Sequence, residues 1–161
     1  MAELEHEELQ LQRERVLVSE LIGASLRAFS VAATEAGITL SSALEEGLAI
    51  DVDPLRLAQL LDNLISNAIK YTPGGGHVEV RAAAEGEHVA IEVVDDGIGI
   101  DDADKPRLFD AFFRAPSGRE KADGTGLGLR ISREIARAHG GALEVADTPG
   151  GGSTFRLLLP R

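Results

Sequence analysis

Two asparagines and a lysine share one side of a predicted helix, where their side chains could bind a metal ion and phosphate. Asn63, Asn67 and Lys70 are spaced by four and three residues, which aligns them on one stripe of a helix. An amide oxygen is a hard donor that suits Mg²⁺, and an ammonium can pair with phosphate. A solvated helix face has the same pattern, so the helix alone leaves both interpretations open.

A carboxylate followed by closely spaced glycines ends a later predicted strand, at Asp95-x-Gly97-x-Gly99. Asp95 could accept a hydrogen bond from an exocyclic amine, such as that of adenine. The glycines allow the backbone to approach a ligand closely. A strand that ends in an Asp-Gly turn is also common without any ligand.

A glycine-rich segment directly precedes the last predicted helix. It contains Gly124, Thr125, Gly126, Leu127 and Gly128. Free amides and the positive end of a helix dipole favour phosphate at such a junction. The segment lacks the Gly-Lys-Ser/Thr of a P-loop, and a flexible joint would have a similar composition.

A short helix is predicted near residues 106–113, with Phe109 and Phe112 as core residues. Residues 115–125 lack periodicity and predict a mobile lid. Arg114 lies at the edge of this lid, where a guanidinium could reach a terminal phosphate and offset its charge during transfer.

The helix with the two asparagines is predicted over residues 53–72. Asp53 is a favourable N-cap, and Pro54 suits the first helical position. Thr72 is followed by proline and glycines, which end the helix. The apolar positions form one stripe with helical spacing: Leu57, Leu60, Leu61, Leu64, Ile65 and Ala68.

Two more helices are predicted over residues 16–36, with Ser19 as a candidate cap, and over residues 126–139. Strands are predicted over residues 38–44, 48–52, 77–84, 88–95, 142–146 and 153–159. The third and fourth strands form a hairpin around Glu85 and Gly86. These elements predict a two-layer α/β sandwich.

The composition fits one domain with a short additional segment. Of 161 residues, 43% are hydrophobic, which suffices for a core. The net charge of −11 argues against long-range attraction to nucleic acid or an anionic membrane. The absence of cysteine excludes disulfides and thiol nucleophiles. We expect a charged N-terminal arm over residues 1–15, left from a preceding segment, and a domain over residues 16–161.

The four polar segments together, in this order, resemble the N, G1, F and G2 boxes of sensor histidine kinases. They are residues 63–72, 95–99, 109–114 and 124–129. The resemblance implies the Bergerat ATP-binding fold, an α/β (α+β) sandwich with a mixed sheet of about five strands and three main helices on one face. It also implies ATP and Mg²⁺ as cofactors.

The resemblance assigns a role to each matched position. Asn67 would be the Mg²⁺ ligand, and Asn63 would support the metal or the phosphates. Lys70 would pair with phosphate, and Arg114 would contact the γ-phosphate, so Asn63, Lys70 and Arg114 are the implied catalytic residues.

The remaining matched positions would form the nucleotide pocket. Asp95 would accept from the adenine amine, Gly97 and Gly99 would shape the adenine pocket, and Tyr71 would lie near the nucleotide. The residues implied to close over the phosphates are Gly124, Thr125, Gly126, Leu127 and Gly128.

Asn63 also distinguishes subfamilies of the superfamily that the chain resembles. Related ATPases such as DNA gyrase and heat-shock chaperones have a Glu at this position, as the base that activates water. An amide cannot take up a proton at neutral pH, so the resemblance implies poor hydrolysis. Asp62 is adjacent but lies about 100° away around the helix.

The resemblance implies a protein-histidine kinase that transfers phosphate to a histidine outside this domain. His6 lacks the expected sequence context of a phosphoacceptor. The implied partners are a histidine-containing dimerisation domain of the same kinase and, indirectly, a response regulator, with neither nucleic acid nor direct membrane contact. We expect a monomer in isolation, located in the cytoplasm as part of a membrane-bound bacterial sensor. The alternatives are a stand-alone ATPase of the superfamily and a non-catalytic, nucleotide-gated interaction module.

Overall fold

The computed structural model describes residues 10–109 and 128–161. Within these residues, three α-helices and a five-stranded sheet form two layers, and a two-stranded ribbon lies beside them. The helices are α1 (Val18–Glu35), α2 (Pro54–Tyr71) and α3 (Gly128–Ala138). The strands are β1 (Glu14–Leu17), β2 (Thr39–Leu44), β3 (Ala49–Val52), β4 (His77–Glu85), β5 (His88–Asp95), β6 (Ala142–Asp147) and β7 (Ser153–Pro160). The predicted two-layer α/β sandwich with a mixed sheet is confirmed.

The large sheet has the strand order β2-β4-β5-β7-β6. β2 pairs parallel with β4, and the other three pairs are antiparallel. Alternate residues of the strands face the core, as the period of two requires. The buried side chains on this face include Val78, Val80, Val89, Ile91, Val93, Phe155, Leu157 and Leu159. On the opposite face the register partners Glu92 and Arg156 form an ion pair at 3.4 Å, so apolar residues face the helices and charged residues face solvent.

Helix α2 lies at the centre of the core. Asp53 caps it as predicted, because its Oδ1 accepts hydrogen bonds from the N–H groups of Leu55 (3.1 Å) and Arg56 (3.2 Å). All six residues of the predicted apolar stripe are buried. Burial of a Leu or Ile side chain contributes about 1.5–3 kcal/mol to the free energy of folding. Burial of this stripe therefore fixes α2 in the core and positions the polar side chains on its neighbouring stripe.

The N-terminal boundary of α1 differs from the prediction. Glu14–Leu17 forms β1, antiparallel to β3, so α1 begins two residues later than expected. Leu17 occupies the N-cap position and Ser19 makes no capping hydrogen bond. The N–H of Val18 donates to the carbonyl of Leu48 at 2.9 Å. Pairing with β3 therefore satisfies backbone groups that a longer helix would have satisfied internally.

The predicted strands over residues 38–44 and 48–52 both exist, but they belong to different sheets. β2 joins the edge of the large sheet beside β4, whereas β3 pairs with β1. After the turn at residues 45–47, the chain therefore leaves the sheet and enters α2 from the ribbon. This path brings the first turn of α2 next to the N-terminal segment.

The predicted short helix near residues 106–113 is only partly within the described chain. There it is a single 3₁₀ turn, Lys105–Arg107. Phe109 is half-buried, packs against the core and lies under the guanidinium of Arg133, 4.9 Å from the ring centre. Phe112 and the predicted lid at 115–125 lie outside the described residues. The C-terminal helix, predicted to start at residue 126, is described from Gly128.

Candidate functional site

The polar stripe of α2 carries Asn63, Asn67 and Lys70 as half-buried side chains beside the apolar stripe. Asn63 is directed towards α3, since its Nδ2 donates to the carbonyl of Gly128 at 3.3 Å and to the hydroxyl of Ser132 at 3.2 Å. Within the described parts of the chain, no hydrogen bond to the side chain of Asn67 or Lys70 is formed. One amide of the stripe thus connects two helices, and the next two polar groups make no such contact within residues 10–109 and 128–161.

Asp95 ends β5 and is only 5% exposed. Its Oδ1 accepts from the N–H groups of Gly97 (3.0 Å) and Ser153 (3.1 Å). Burial raises the pKa of Asp95, and these two hydrogen bonds oppose that rise. No residue of the described ranges donates to Oδ2, so one oxygen of a fixed carboxylate can accept from a ligand.

The adjacent carboxylate, that of Asp96, bonds a different part of the chain. Asp96 accepts from the backbone N–H of His77 at 2.7 Å and pairs with His77 Nδ1 at 2.9 Å. The backbone hydrogen bond from His77 is the main cause that lowers the pKa of Asp96. Asp96 therefore holds the start of β4 against the end of β5, while Asp95 faces the interior of the site.

The glycine after Asp95-Asp96 lies directly against the end of α2. A Cβ on Gly97 would be 2.4 Å from the carbonyl oxygen of Tyr71 and 2.9 Å from the Oγ1 of Thr72. The N–H of Ile98 donates to the same Tyr71 carbonyl at 3.2 Å. Only glycine permits this approach, which brings the Asp95 loop next to the C-terminal end of the polar stripe.

Thr72 contributes a buried hydroxyl to this junction. The residue is 4% exposed, and its Oγ1 has no hydrogen-bond partner among the described residues. A buried polar group without a partner is costly, and a ligand or water beside Gly97 would supply one. Thr72 could not be recognised from the sequence, since it ends a helix and its burial depends on the loop after β5.

A second set of residues that sequence reasoning missed supports Asp95 from the last hairpin. The Thr148 hydroxyl donates to the Asp95 carbonyl at 2.9 Å, and Ser153 donates to its carboxylate. Gly152 has φ +105°, and a Cβ there would lie 2.0 Å from the Asp95 carbonyl oxygen. The only signal in the sequence was the Gly150-Gly151-Gly152 run between the last two predicted strands.

The structure brings several of the predicted site residues together. Asn63 meets Gly128, and Asp95, Gly97 and Tyr71 meet at the end of α2. Gly99 has φ +75° and lies near the Gly152 backbone, at the opposite side of the same loop. The other predicted residues lie outside the described ranges: Arg114, Gly124, Thr125, Gly126 and Leu127.

The family profile of the "Histidine kinase-, DNA gyrase B-, and HSP90-like ATPase" matches residues 52–161, which include α2, the Asp95 loop and α3. The chain belongs to this family. Residues 10–51 of the described chain, with β1, α1 and β2, lie before the matched region. Within the family, the chain is a catalytic and ATP-binding domain of the sensor histidine kinase type, as its relatives show.

Among curated proteins, the chain is 37% identical over 161 residues to the histidine protein kinase DivJ of Caulobacter vibrioides. The alignment covers 99% of this chain and 27% of DivJ, so the chain spans about a quarter of that relative. Among solved structures, full-length ShkA in complex with AMPPNP matches with a TM-score of 0.86 and 32% identity, over 99% of this chain and 33% of ShkA.

The catalytic domain of the histidine kinase ThkA, solved in a nucleotide-free form, matches with a TM-score of 0.84 and 28% identity. The match covers 93% of this chain and 96% of the ThkA domain. The described residues therefore form the same fold as an isolated histidine kinase catalytic domain. None of the helices in the described ranges is both long and apolar enough to span a membrane.

Proposed function

We propose that the chain binds Mg-ATP and transfers its γ-phosphate to a histidine on the dimerisation hairpin of a sensor histidine kinase. The observation that carries this proposal is the carboxylate of Asp95. Two backbone N–H groups fix its Oδ1 and leave Oδ2 for a donor such as the adenine amine. The family match supports ATP as the nucleotide.

The residues at the other end of the site fit a magnesium ion and phosphates. Asn67 has an amide oxygen with no partner among the described residues, and Mg²⁺ prefers oxygen ligands with several waters retained. Lys70 lies on the same stripe, one turn further, and can offset phosphate charge. When bound, the metal would neutralise charge on the phosphates, and Asn67 and Lys70 would hold the phosphate end of the nucleotide.

The same stripe argues against rapid hydrolysis of ATP. Position 63, one turn before Asn67, carries an amide that donates to α3 and cannot act as a base. We therefore infer that the phosphate is kept for a histidine acceptor, with a response regulator acting after that step. The cytoplasm, where ATP is abundant, is the proposed location.

The test is calorimetric titration of the 161-residue chain with ATP, with and without Mg²⁺. Asp95→Asn keeps an acceptor for Gly97 and Ser153 but places an amide NH₂ opposite the adenine amine. A hydrogen bond to a charged group contributes about 1.5–3 kcal/mol, so we expect at least a tenfold loss of ATP affinity. Asp96→Asn is the matched control, because Asp96 bonds His77 instead, and its affinity should change less than threefold.

An assay of phosphate transfer completes the test. The chain is mixed with a separately produced histidine-containing hairpin, and acid-labile phosphate on the hairpin is measured beside ADP release. Transfer to the hairpin with little ADP release from the chain alone supports the proposal. Steady ADP release without a hairpin would instead indicate a hydrolysing ATPase, and failure to bind ATP would leave an interaction module.

A further inference from the structure

A buried serine on α3 holds the first asparagine of the polar stripe. Ser132 is fully buried, and its hydroxyl accepts from Asn63 Nδ2 at 3.2 Å. The same nitrogen donates to the Gly128 carbonyl at 3.3 Å. Ser132 and Gly128 are separated by one turn of α3, so a single amide group bonds two positions of that helix.

These contacts determine which end of the Asn63 amide faces away from α3. Both hydrogen bonds involve Nδ2, and none of the described residues donates to Oδ1. A Cβ on Gly128 would lie 3.7–3.8 Å from the Asn63 amide atoms, so the amide packs over the first residue of α3. The oxygen is the end that a metal ion or a hydrated cation would bind.

We propose that Ser132 is a positioning residue, which orients the Asn63 amide and joins the phosphate-binding side of α2 to the first turn of α3. This inference rests on the proposed function. In the described chain α3 begins at Gly128, and the free N–H groups and positive dipole of a helix N-terminus favour phosphate. The Asn63 contacts hold this end at a constant distance from the polar stripe, so that both elements can contact one triphosphate.

The orientation matters because the terminal torsion of Asn is broad and nearly two-fold. With Ser132 as an acceptor, the amide has two partners on its nitrogen. Without that hydroxyl it has only the Gly128 carbonyl, and the amide can rotate towards orientations that present NH₂ instead of oxygen. The consequence should be specific to ligands that carry phosphates and Mg²⁺, since the adenine end is held by Asp95 from another element.

The first experiment compares Ser132→Ala with wild type in binding Mg-ATP and adenosine, by calorimetry on the 161-residue chain. We expect Ser132→Ala to weaken Mg-ATP binding by about five- to tenfold, the loss typical of one hydrogen bond, with adenosine affinity within twofold of wild type. Ser25→Ala is the matched control, because Ser25 is also a buried helical serine but lies on α1. It should leave both affinities unchanged.

A second readout observes the Asn63 amide without any nucleotide. The side-chain NH₂ resonance of Asn63, assigned through its loss in Asn63→Ala, should shift in Ser132→Ala and stay in place in Ser25→Ala. In a double-mutant cycle, Asn63→Ala should make the Ser132→Ala loss of Mg-ATP affinity disappear. If Ser132→Ala does not fold, Ser132→Cys gives the same comparison, because a thiol is only a weak acceptor.

The outcomes separate the two proposals. A wild-type chain that binds neither Mg-ATP nor adenosine overturns the proposed function and this inference with it. A wild-type chain that binds Mg-ATP, with equal losses for Mg-ATP and adenosine in Ser132→Ala or with an unmoved Asn63 resonance, overturns the inference alone.

Discussion

The Nε2 of His139 accepts a hydrogen bond at 3.0 Å from the backbone N–H of Asp53, 86 residues earlier in the sequence. The other ring nitrogen, Nδ1, donates to the Ile135 carbonyl at 2.8 Å. Because Nε2 accepts and Nδ1 faces a carbonyl, the buried ring of His139 is a neutral imidazole with its proton on Nδ1. It connects the C-terminal end of α3 to the first turn of α2.

Protonation of His139 should weaken the fold. Burial is the main cause that lowers the pKa of His139 below 6.5, and the nearby Arg13 guanidinium lowers it further, whereas Asp53 opposes the change. The unfolded chain then binds more protons than the native chain, so the free energy of unfolding falls as the pH drops below about 6.5 and levels off below the native pKa. Urea unfolding at several pH values between 7.5 and 5 should show this loss.

The matched comparison uses two histidine variants. His139→Gln should remove most of the pH dependence in that window and reduce stability at pH 7.5, by about 1–3 kcal/mol if the Asp53 N–H loses its partner. His88→Gln changes an exposed residue of β5 and should keep the wild-type profile. A His139→Gln profile parallel to that of wild type would contradict this account.

Asp53 joins three backbone groups, and two substitutions separate their contributions. Its Oδ1 caps α2, and its Oδ2 accepts from the Gln12 N–H at 2.9 Å. Asp53→Ala should cost about 1–2 kcal/mol through the lost cap. Asp53→Asn keeps the capping oxygen but replaces the acceptor for Gln12, so it should lose less stability. Hydrogen exchange should then show faster exchange at Gln12 in both variants, and equal protection in Asp53→Asn and wild type would contradict this assignment.

Gly152 should be among the least replaceable residues of the last hairpin. Its φ of +105° is strained for other residues, and a Cβ would lie 2.0 Å from the Asp95 carbonyl. Gly150 also has a positive φ, +90°, but a Cβ there would meet nothing within 4 Å. Gly150→Ala should therefore cost about 1 kcal/mol, whereas Gly152→Ala should cost at least twice as much and displace Asp95. Chemical denaturation of both variants measures the difference, and equal costs would rule out the steric cause.

The ligand-binding role proposed for Asp95 should come at a cost in stability. Because burial raises its pKa in the native state, ionised Asp95 favours unfolding at neutral pH, and this penalty disappears once the pH is below both pKa values. Asp95→Asn should therefore keep or raise the free energy of unfolding at pH 7 while losing ATP affinity. Thermal denaturation at pH 7 without nucleotide checks this expectation, and a clear drop in Tm would show that the carboxylate is mainly structural.

Helix α2 could be predicted in full because independent local signals agree. Asp53 and Pro54 mark its start, the apolar residues have one period, and proline and glycines follow Thr72. The hairpin of β4 and β5 was predictable for the same reason. Strand β1 was not, since Val16 and Leu17 suit either a helix or a strand. Their partner residues, Ile50 and Ala49, are distant in sequence.

In the candidate site, too, features with a local sequence signal were predictable, and contacts between distant elements were not. Asp95, Gly97 and the stripe of Asn63 could be recognised from residue type and spacing. The supporting groups could not, because their function depends on which elements meet in space. Ser132, Ser153 and Thr72 are ordinary polar residues in the sequence, and only the folded chain shows that two bond the site and one is buried beside Gly97.

The hydrogen bond between Gln12 and Asp53 has a mechanical consequence. Any tension applied through residues before Gln10 reaches this bond before it reaches the paired residues of β1, which start at Glu14. The strained group is then the N-cap of α2, the helix that carries Asn63, Asn67 and Lys70. A pull on the N-terminal segment would therefore act on the first turn of that helix before it acts on the strand pairing of the ribbon.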